Sequence, residues 1–282
     1  MEIREQLEKE RLFFDGGMGT MLQSAGLMPG ELPELWNLSH ADVIQASTKP
    51  ISGRGPNHQD QYICCNGLKF GKAHGTPAVS TLVTAAVKLA QKAFQACGEK
   101  GCVALDLGPT GKLLQPYGDL PFEEAVSLYA EAVEAGKKAG ADLVLIETMS
   151  DTYEAKAAIL AVKEHSNLPF VVTFTFDEEG KLLSGADVET AMIVASSLGA
   201  SAVGFNCGWG LRKSAALCPA PLRPRTCLLW STRMPVFLSR TMGSHSLRWD
   251  LRNLPQPCWN LLPRQPFWVA AVGQRPSTSK LL

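Results

Sequence analysis

The feature that most constrains this chain is a unit repeated through its middle: an apolar run of strand length, a short polar tip, then a helix. It recurs at roughly thirty-residue steps, the spacing of a βα series. Cys102–Leu107 is the first clear strand and ends in Gly108-Pro109-Thr110-Gly111. Pro121 opens a helix to about Ala139, with Glu123 and Glu124 in the first turn, where the helix dipole favours carboxylates. Residues 142–146 form a strand ending in Glu147-Thr148, and Asp151 or Thr152 caps a helix reaching about His165. Residues 168–176 are a β-branched and aromatic strand, 187–199 a helix closed by Gly199, and 202–205 the next strand, ending in Asn206-Cys207. Strands this continuously apolar suit a parallel sheet covered on both faces.

Upstream, residues 2–11 read as a short charged helix, and Leu12–Asp15 as a strand running into Asp15-Gly16-Gly17-Met18-Gly19-Thr20. The glycines there permit close backbone approach to a ligand, although glycine clusters also mark ordinary turns. The Leu35, Leu38, Val43 and Ala46 spacing predicts a helix over 34–48, residues 50–65 read as loop, and 79–97 follow a helical period. Polar groups thus fall at the C-terminal ends of the strands: Asp15, Thr110, Glu147 and Asn206-Cys207. In a parallel barrel these ends meet at one mouth. Taken singly, each tip also fits a helix cap, and Cys207 also fits a small buried core cysteine.

A chain of 282 residues accommodates a barrel of about 250. Its net charge of zero argues against nucleic-acid and membrane partners, and no apolar run approaches the ~18 residues of a membrane span. The eight cysteines lack zinc-finger spacing, and Met1–Arg11 has no apolar leader region, which predicts a reduced, cytoplasmic protein. After Trp209 the regularity stops. Eleven Lys/Arg stand against one acidic residue, Asp250, from Leu211 onward, and nine prolines interrupt every candidate helix or central strand.

Asp15-Gly-Gly-Met-Gly-Thr20, Pro33-Glu-Leu-Trp-Asn-Leu38, Gly108-Pro-Thr-Gly-Lys112 and Ile146-Glu-Thr-Met-Ser-Asp151, in that order, resemble the homocysteine S-methyltransferases. Within that family the likeness is to the N-terminal module of cobalamin-dependent methionine synthases, over residues 8–49 and about 66–209. The resemblance implies a (β/α)8 TIM barrel and methyl transfer to the homocysteine thiol, giving methionine. It implies Zn2+ held by three cysteines, one in an Asn-Cys pair like Asn206-Cys207 and two in a Gly-Gly-Cys-Cys-Gly motif ending the eighth strand. Zinc would hold the substrate sulfur as thiolate, the nucleophilic form. The resemblance further assigns Asp15, Gly16, Glu147 and Asn206 to substrate binding and Cys207 to the metal. It points to methylcobalamin as donor, delivered through folate and cobalamin modules. An unrelated aldolase-like barrel is disfavoured because no strand tip offers a Schiff-base lysine.

Two family features are missing: the Gly-Gly-Cys-Cys motif, and the Asn-Thr-Phe segment expected to end strand two. Both gaps fall in the irregular blocks. Phe267–Pro276 can be encoded so that the same DNA, read from the third base, gives Leu-Gly-Gly-Cys-Cys-Gly-Thr-Thr-Pro. Asn57–Cys65, read from the second base, can give a segment containing Asn-Thr-Phe. The sequence therefore reads as a homocysteine-binding barrel over 1–209 with an aberrant, frameshifted insert at 50–65. Residues 210–282 form an aberrant tail in place of the last strands. On this reading strands two, seven and eight are disrupted, the barrel is incomplete, and methyl transfer is lost. The alternatives are a non-catalytic homocysteine-binding barrel fragment and a betaine- or S-methylmethionine-type methyltransferase. Resequencing the gene should reveal a frame change flanking codons 50–65 and another near codon 210; an intact frame encoding this protein would refute the frameshift.

Overall fold

The computed structural model describes residues 18–47, 57–61, 77–97, 101–206, 227–230 and 268–270. Among them are strands β1 (Asn57–Gln61), β2 (Gly101–Leu107), β3 (Leu143–Met149), β4 (Phe170–Phe174), β5 (Ala202–Phe205), β6 (Cys227–Trp230) and β7 (Trp268–Ala270). They form one sheet in sequence order, and every neighbouring pair is parallel. The helices are α1 (Met18–Ser24), α2 (Trp36–Ser39), α3 (Ala41–Ser47), α4 (Val79–Cys97), α5 (Phe122–Ala139), α6 (Thr152–His165) and α7 (Val188–Ser197). Sequential strand order without reversal distinguishes a β/α barrel from a doubly wound sheet, which turns back at a switch point.

The middle of the chain folds as its pattern predicts. Pro121 flanks α5 with extended backbone, and Gly140 ends it in the left-handed conformation (φ 94°), its N–H reaching the Gly136 carbonyl. Asp151 caps α6 by accepting from Tyr153 N, and Asp187 caps α7 by accepting from Thr190 N. Strand residues alternate between two environments. Val103, Leu105, Leu107, Val144, Ile146, Val172 and Val203 join the cluster shared with the helices, which includes Tyr129, Ala158 and Ile159. Ala104, Leu143, Leu145 and Ala202 are equally buried but lie outside that cluster, on the other face of the sheet. A Cβ on Gly136 of α5 would lie 2.7 Å from Leu105 Cδ2, so the glycine sets how closely α5 approaches β2.

Three expectations are corrected. The helix over 34–48 is broken: Pro33–Leu35 is a 3-10 turn, and His40 (φ −135°, ψ 46°) separates α2 from α3. The His40 ring stacks on Trp36 at 4.2 Å, and its carbonyl accepts from Val43 N and Ile44 N to start α3. Trp36 and Ile44 are the segment's buried apolar side chains, with Glu34 and Asn37 buried beside them, whereas Leu38 is exposed. The second correction concerns 50–65: Asn57–Gln61 is a strand paired with β2, not loop. The third concerns the tail, where Cys227–Trp230 and Trp268–Ala270 pair in turn beyond β5 and extend the sheet. Parallel ladders are built from backbone N–H and C=O groups, which any proline-free run supplies. Both segments are such runs. The proposed first strand and the helix over 2–11 lie outside the described residues.

Among the described residues no helix is long and apolar enough to cross a membrane. Gly136→Ala should destabilise the protein by about 1 kcal/mol, because overpacking against buried Leu105 (about 1–3) outweighs the gain in helix propensity (about 1). The urea midpoint measures it, and an unchanged or raised midpoint would show that α5 can move away from β2.

Candidate functional site

The C-terminal ends of β2 to β5 bring four polar residues onto the sheet face opposite the helices. By strand parity they are Asp106, two positions after Ala104; Glu147, two after Leu145; Thr173, two after Val171; and Asn206, two after Gly204. All four are buried.

A bulge in β3 shapes the site. Ile146 pairs with Val172, but the next registered pair is Met149 with Phe174, so three steps on β3 meet two on β4. Within the bulge Thr148 has φ 61°, a left-handed conformation that costs a β-branched residue on the order of 1–3 kcal/mol. Two hydrogen bonds hold it there: Thr148 N–H donates to Thr173 Oγ1 (3.1 Å), and Asn206 Nδ2 donates to Thr148 Oγ1 (2.7 Å). The same Asn206 amide donates to Glu147 Oε1 at 2.8 Å. Asn206 is itself fixed by its backbone N–H, which donates to the Phe174 carbonyl (3.0 Å) and prolongs the β4–β5 ladder.

Asp106 completes the cluster through a side-chain hydrogen bond with Glu147. Burial pushes the Glu147 carboxyl up to about 7, while the hydrogen bonds with Asp106 and Asn206 pull it part of the way back. A buried acidic wall with an amide beside it can receive a positively charged hydrogen-bond donor such as an α-ammonium group.

A second buried carboxylate does a different job. Glu154 Oε1 accepts from Thr110 N (2.6 Å), Thr110 Oγ1 (2.6 Å) and Tyr129 OH (3.0 Å), and Tyr129 OH also lies 3.2 Å from the Gly108 carbonyl. Glu154, in the first turn of α6, thereby ties the loop after β2 to α5 and α6.

Of the residues singled out in the sequence, Glu147 and Asn206 meet directly although 59 positions apart. Thr110 does not join them; it belongs to the Glu154 network. Asp15, Gly16 and Cys207 lie outside the described residues. Asp106 and Thr173 were missed because both stand inside apolar strands rather than at their tips. Their parity with Ala104 and Val171 was the available signal.

A profile of the homocysteine S-methyltransferase family matches residues 12–218. The chain belongs to that family. Methionine synthase of Mycobacterium tuberculosis (strain ATCC 25618 / H37Rv) is 24% identical over 224 residues, covering 74% of this chain and 19% of the relative. Methionine synthase of Mycobacterium leprae (strain TN) is 25% identical over 74% of this chain and 18% of its own length. The chain thus spans about a fifth of the curated relatives it matches. The homocysteine methyltransferase MmuM from Escherichia coli, in its metallated form, superposes with a TM-score of 0.69 at 19% identity, covering 95% of this chain and 94% of that one. Its apo form gives 0.67 at the same identity and coverage. These likenesses carry the barrel fold.

The described residues do not by themselves supply a three-cysteine zinc site. Among the described residues no three His, Cys, Asp or Glu side chains gather as a metal site. Cys102 is at the start of β2, the end opposite the mouth, and its thiol is pushed up to about 11, by burial and then by Asp142, so it stays protonated. The sequence has no Gly-Gly-Cys-Cys run.

Glu147→Gln should remove a pH dependence of stability. The native carboxyl keeps its proton up to about 7 whereas the unfolded one loses it near 4.5, so this group's contribution is full below about 4.5 and lost as pH rises through 7. The variant should be more stable than the parent above neutrality, by a few kcal/mol at most, with the urea midpoint losing that slope. An unaltered slope would place the titration elsewhere. Glu154→Ala should cost roughly 3 kcal/mol by stranding buried donors, and Glu154→Gln clearly less, since the amide oxygen still accepts. Equal losses in the two variants would count against the hydrogen-bond account.

Proposed function

We propose that this chain binds homocysteine at the C-terminal mouth of its barrel and carries the substrate half of a homocysteine S-methyltransferase. The observation that carries this reading is the convergence of Glu147, Asn206 and Thr148, from two non-adjacent strands, on hydrogen bonds of 2.7–2.8 Å at the mouth of a family barrel. The amino-acid end of the substrate meets Glu147 and Asn206, together with Asp15 and Gly16 on the resemblance of their motif. In the family reaction the thiol sulfur attacks the donor's methyl carbon, the methyl–donor bond breaks, the thiol proton leaves and methionine results. Methylcobalamin, presented by folate and cobalamin modules, is the donor this reading favours, because the curated relatives are methionine synthases. The setting is cytoplasmic.

The chain as it stands carries Cys207 alone of the three family cysteines, so the reading includes weak zinc binding and little or no methyl transfer. The short strands β1, β6 and β7 soften the structural side of this argument without restoring the ligands. A non-catalytic homocysteine-binding barrel is the natural description of such a chain. Metal analysis after dialysis against zinc, paired with calorimetric titration of homocysteine with and without zinc, tests it. Less than one zinc per two chains is expected, with homocysteine binding that zinc does not strengthen. Stoichiometric zinc, with binding that depends on it, would overturn the inactive reading.

A further inference from the structure

We propose that Thr173 is a positioning residue for substrate binding: its hydroxyl holds the β3 bulge in the backbone path that turns Glu147 and Thr148 together towards Asn206. This rests on the reading that Glu147 and Asn206 meet the amino-acid end of the substrate.

Register fixes where Thr173 stands. Ile146 pairs with Val172 and Met149 with Phe174, so Thr173 is the single β4 residue opposite both Glu147 and Thr148. Ile146 and Met149 both join the cluster shared with the helices, although they are three positions apart. In an unbroken strand side chains alternate, and a residue three positions on points to the opposite face. The bulge therefore does two things at once. It returns buried Met149 to the helix side, and it leaves Glu147 and Thr148, in succession, to bond with Asn206.

Thr148 does not take that path unaided. At φ 61° a β-branched side chain crowds its own backbone. The Thr148 N–H donates to Thr173 Oγ1 at 3.1 Å, and Thr173 is fully buried, so the bond is shielded from water. Asn206 Nδ2 has two hydrogens to give; Thr148 Oγ1 accepts at 2.7 Å and Glu147 Oε1 at 2.8 Å. If Thr148 left the left-handed conformation, the amide would lose one partner and Glu147 would lose its setting. Past the bulge, Thr175 N–H donates to the Met149 carbonyl at 2.9 Å and pairing resumes. The strain is thus confined between two regular stretches, and the Thr173 hydroxyl is its fastening. Thr173 acts through Thr148 on the orientation of Glu147.

Calorimetric titration of the full chain with L-homocysteine tests the role. Thr173→Val keeps the side-chain shape but removes the acceptor, and should bind about tenfold more weakly. Thr173→Ser keeps the hydroxyl and should stay within about threefold of the parent. Unchanged affinity in Thr173→Val overturns the proposal, and equal losses in the two variants do so as well, since they assign Thr173 to packing. Strain gives a sharper test. Glycine adopts the left-handed conformation freely, so in a Thr148→Gly background Thr173→Val should cost no more than about twofold further. A tenfold loss in that background too would mean that Thr173 does not act by holding the bulge. Amide hydrogen exchange of the ligand-free protein gives a readout independent of binding. The Thr148 N–H should exchange slowly in the parent and in Thr173→Ser, and at least about tenfold faster in Thr173→Val. Fast exchange in the parent refutes the fastening. A parent that binds no homocysteine defeats the substrate reading and the positioning role with it, whereas binding that Thr173→Val leaves intact defeats the positioning role alone.

Discussion

The parity of the parallel strands is the constraint on which the rest depends. In each of β2 to β5 one face packs on helices and the other turns inward, so a residue's position within the strand decides which environment it meets. Leu105 and Leu107 go to the helices; Asp106 between them cannot. Four strands with this discipline deliver Asp106, Glu147, Thr173 and Asn206 to one place. A slip of one residue in any of them would send a carboxylate or amide into the apolar layer between sheet and helices. Register and site are the same fact seen from two sides.

The bulge in β3 is the local price of that arrangement. Glu147 and Thr148 are consecutive, yet both take part in the network around Asn206, which an unbroken strand could not allow because adjacent side chains point to opposite faces. Holding Thr148 in a left-handed conformation solves this. Backbone strain is tolerated because Thr173 and Asn206 each supply a hydrogen bond to the strained residue. The carboxyl of Glu147, raised towards neutrality by burial, shows the same economy: stability is given up at the mouth and recovered in the alanine- and valine-rich layer between β2–β5 and α4–α7.

The family match sharpens the status of the two irregular blocks. The profile spans 12–218, so it runs across 50–65 and past 210, and stops just before Pro219, the first proline of the tail. The strands β1, β6 and β7 show short segments of unfavourable composition joining a parallel sheet through backbone pairing. Trp268–Ala270 forms the last strand of the described sheet.

Much of the architecture was legible in the sequence. The α5, α6 and α7 boundaries follow from Pro121, Asp151, Asp187 and Gly140 because caps and breakers act locally, and β2 to β5 follow from apolar runs whose meaning is nearly independent of context. Glu147 and Asn206 were visible as strand tips. The sequence alone could not reveal the break at His40, which depends on a ring stacked on Trp36, or the strands at 57–61, 227–230 and 268–270, which exist only because a neighbouring edge offers them partners. Nor could it show Asp106 bonded to Glu147, or Thr110 captured by Glu154 rather than by the mouth. Local patterns determined which elements form. Register between strands distant in sequence decided which side chains meet, because hydrogen bonds across a sheet are fixed by backbone pairing that no single segment encodes.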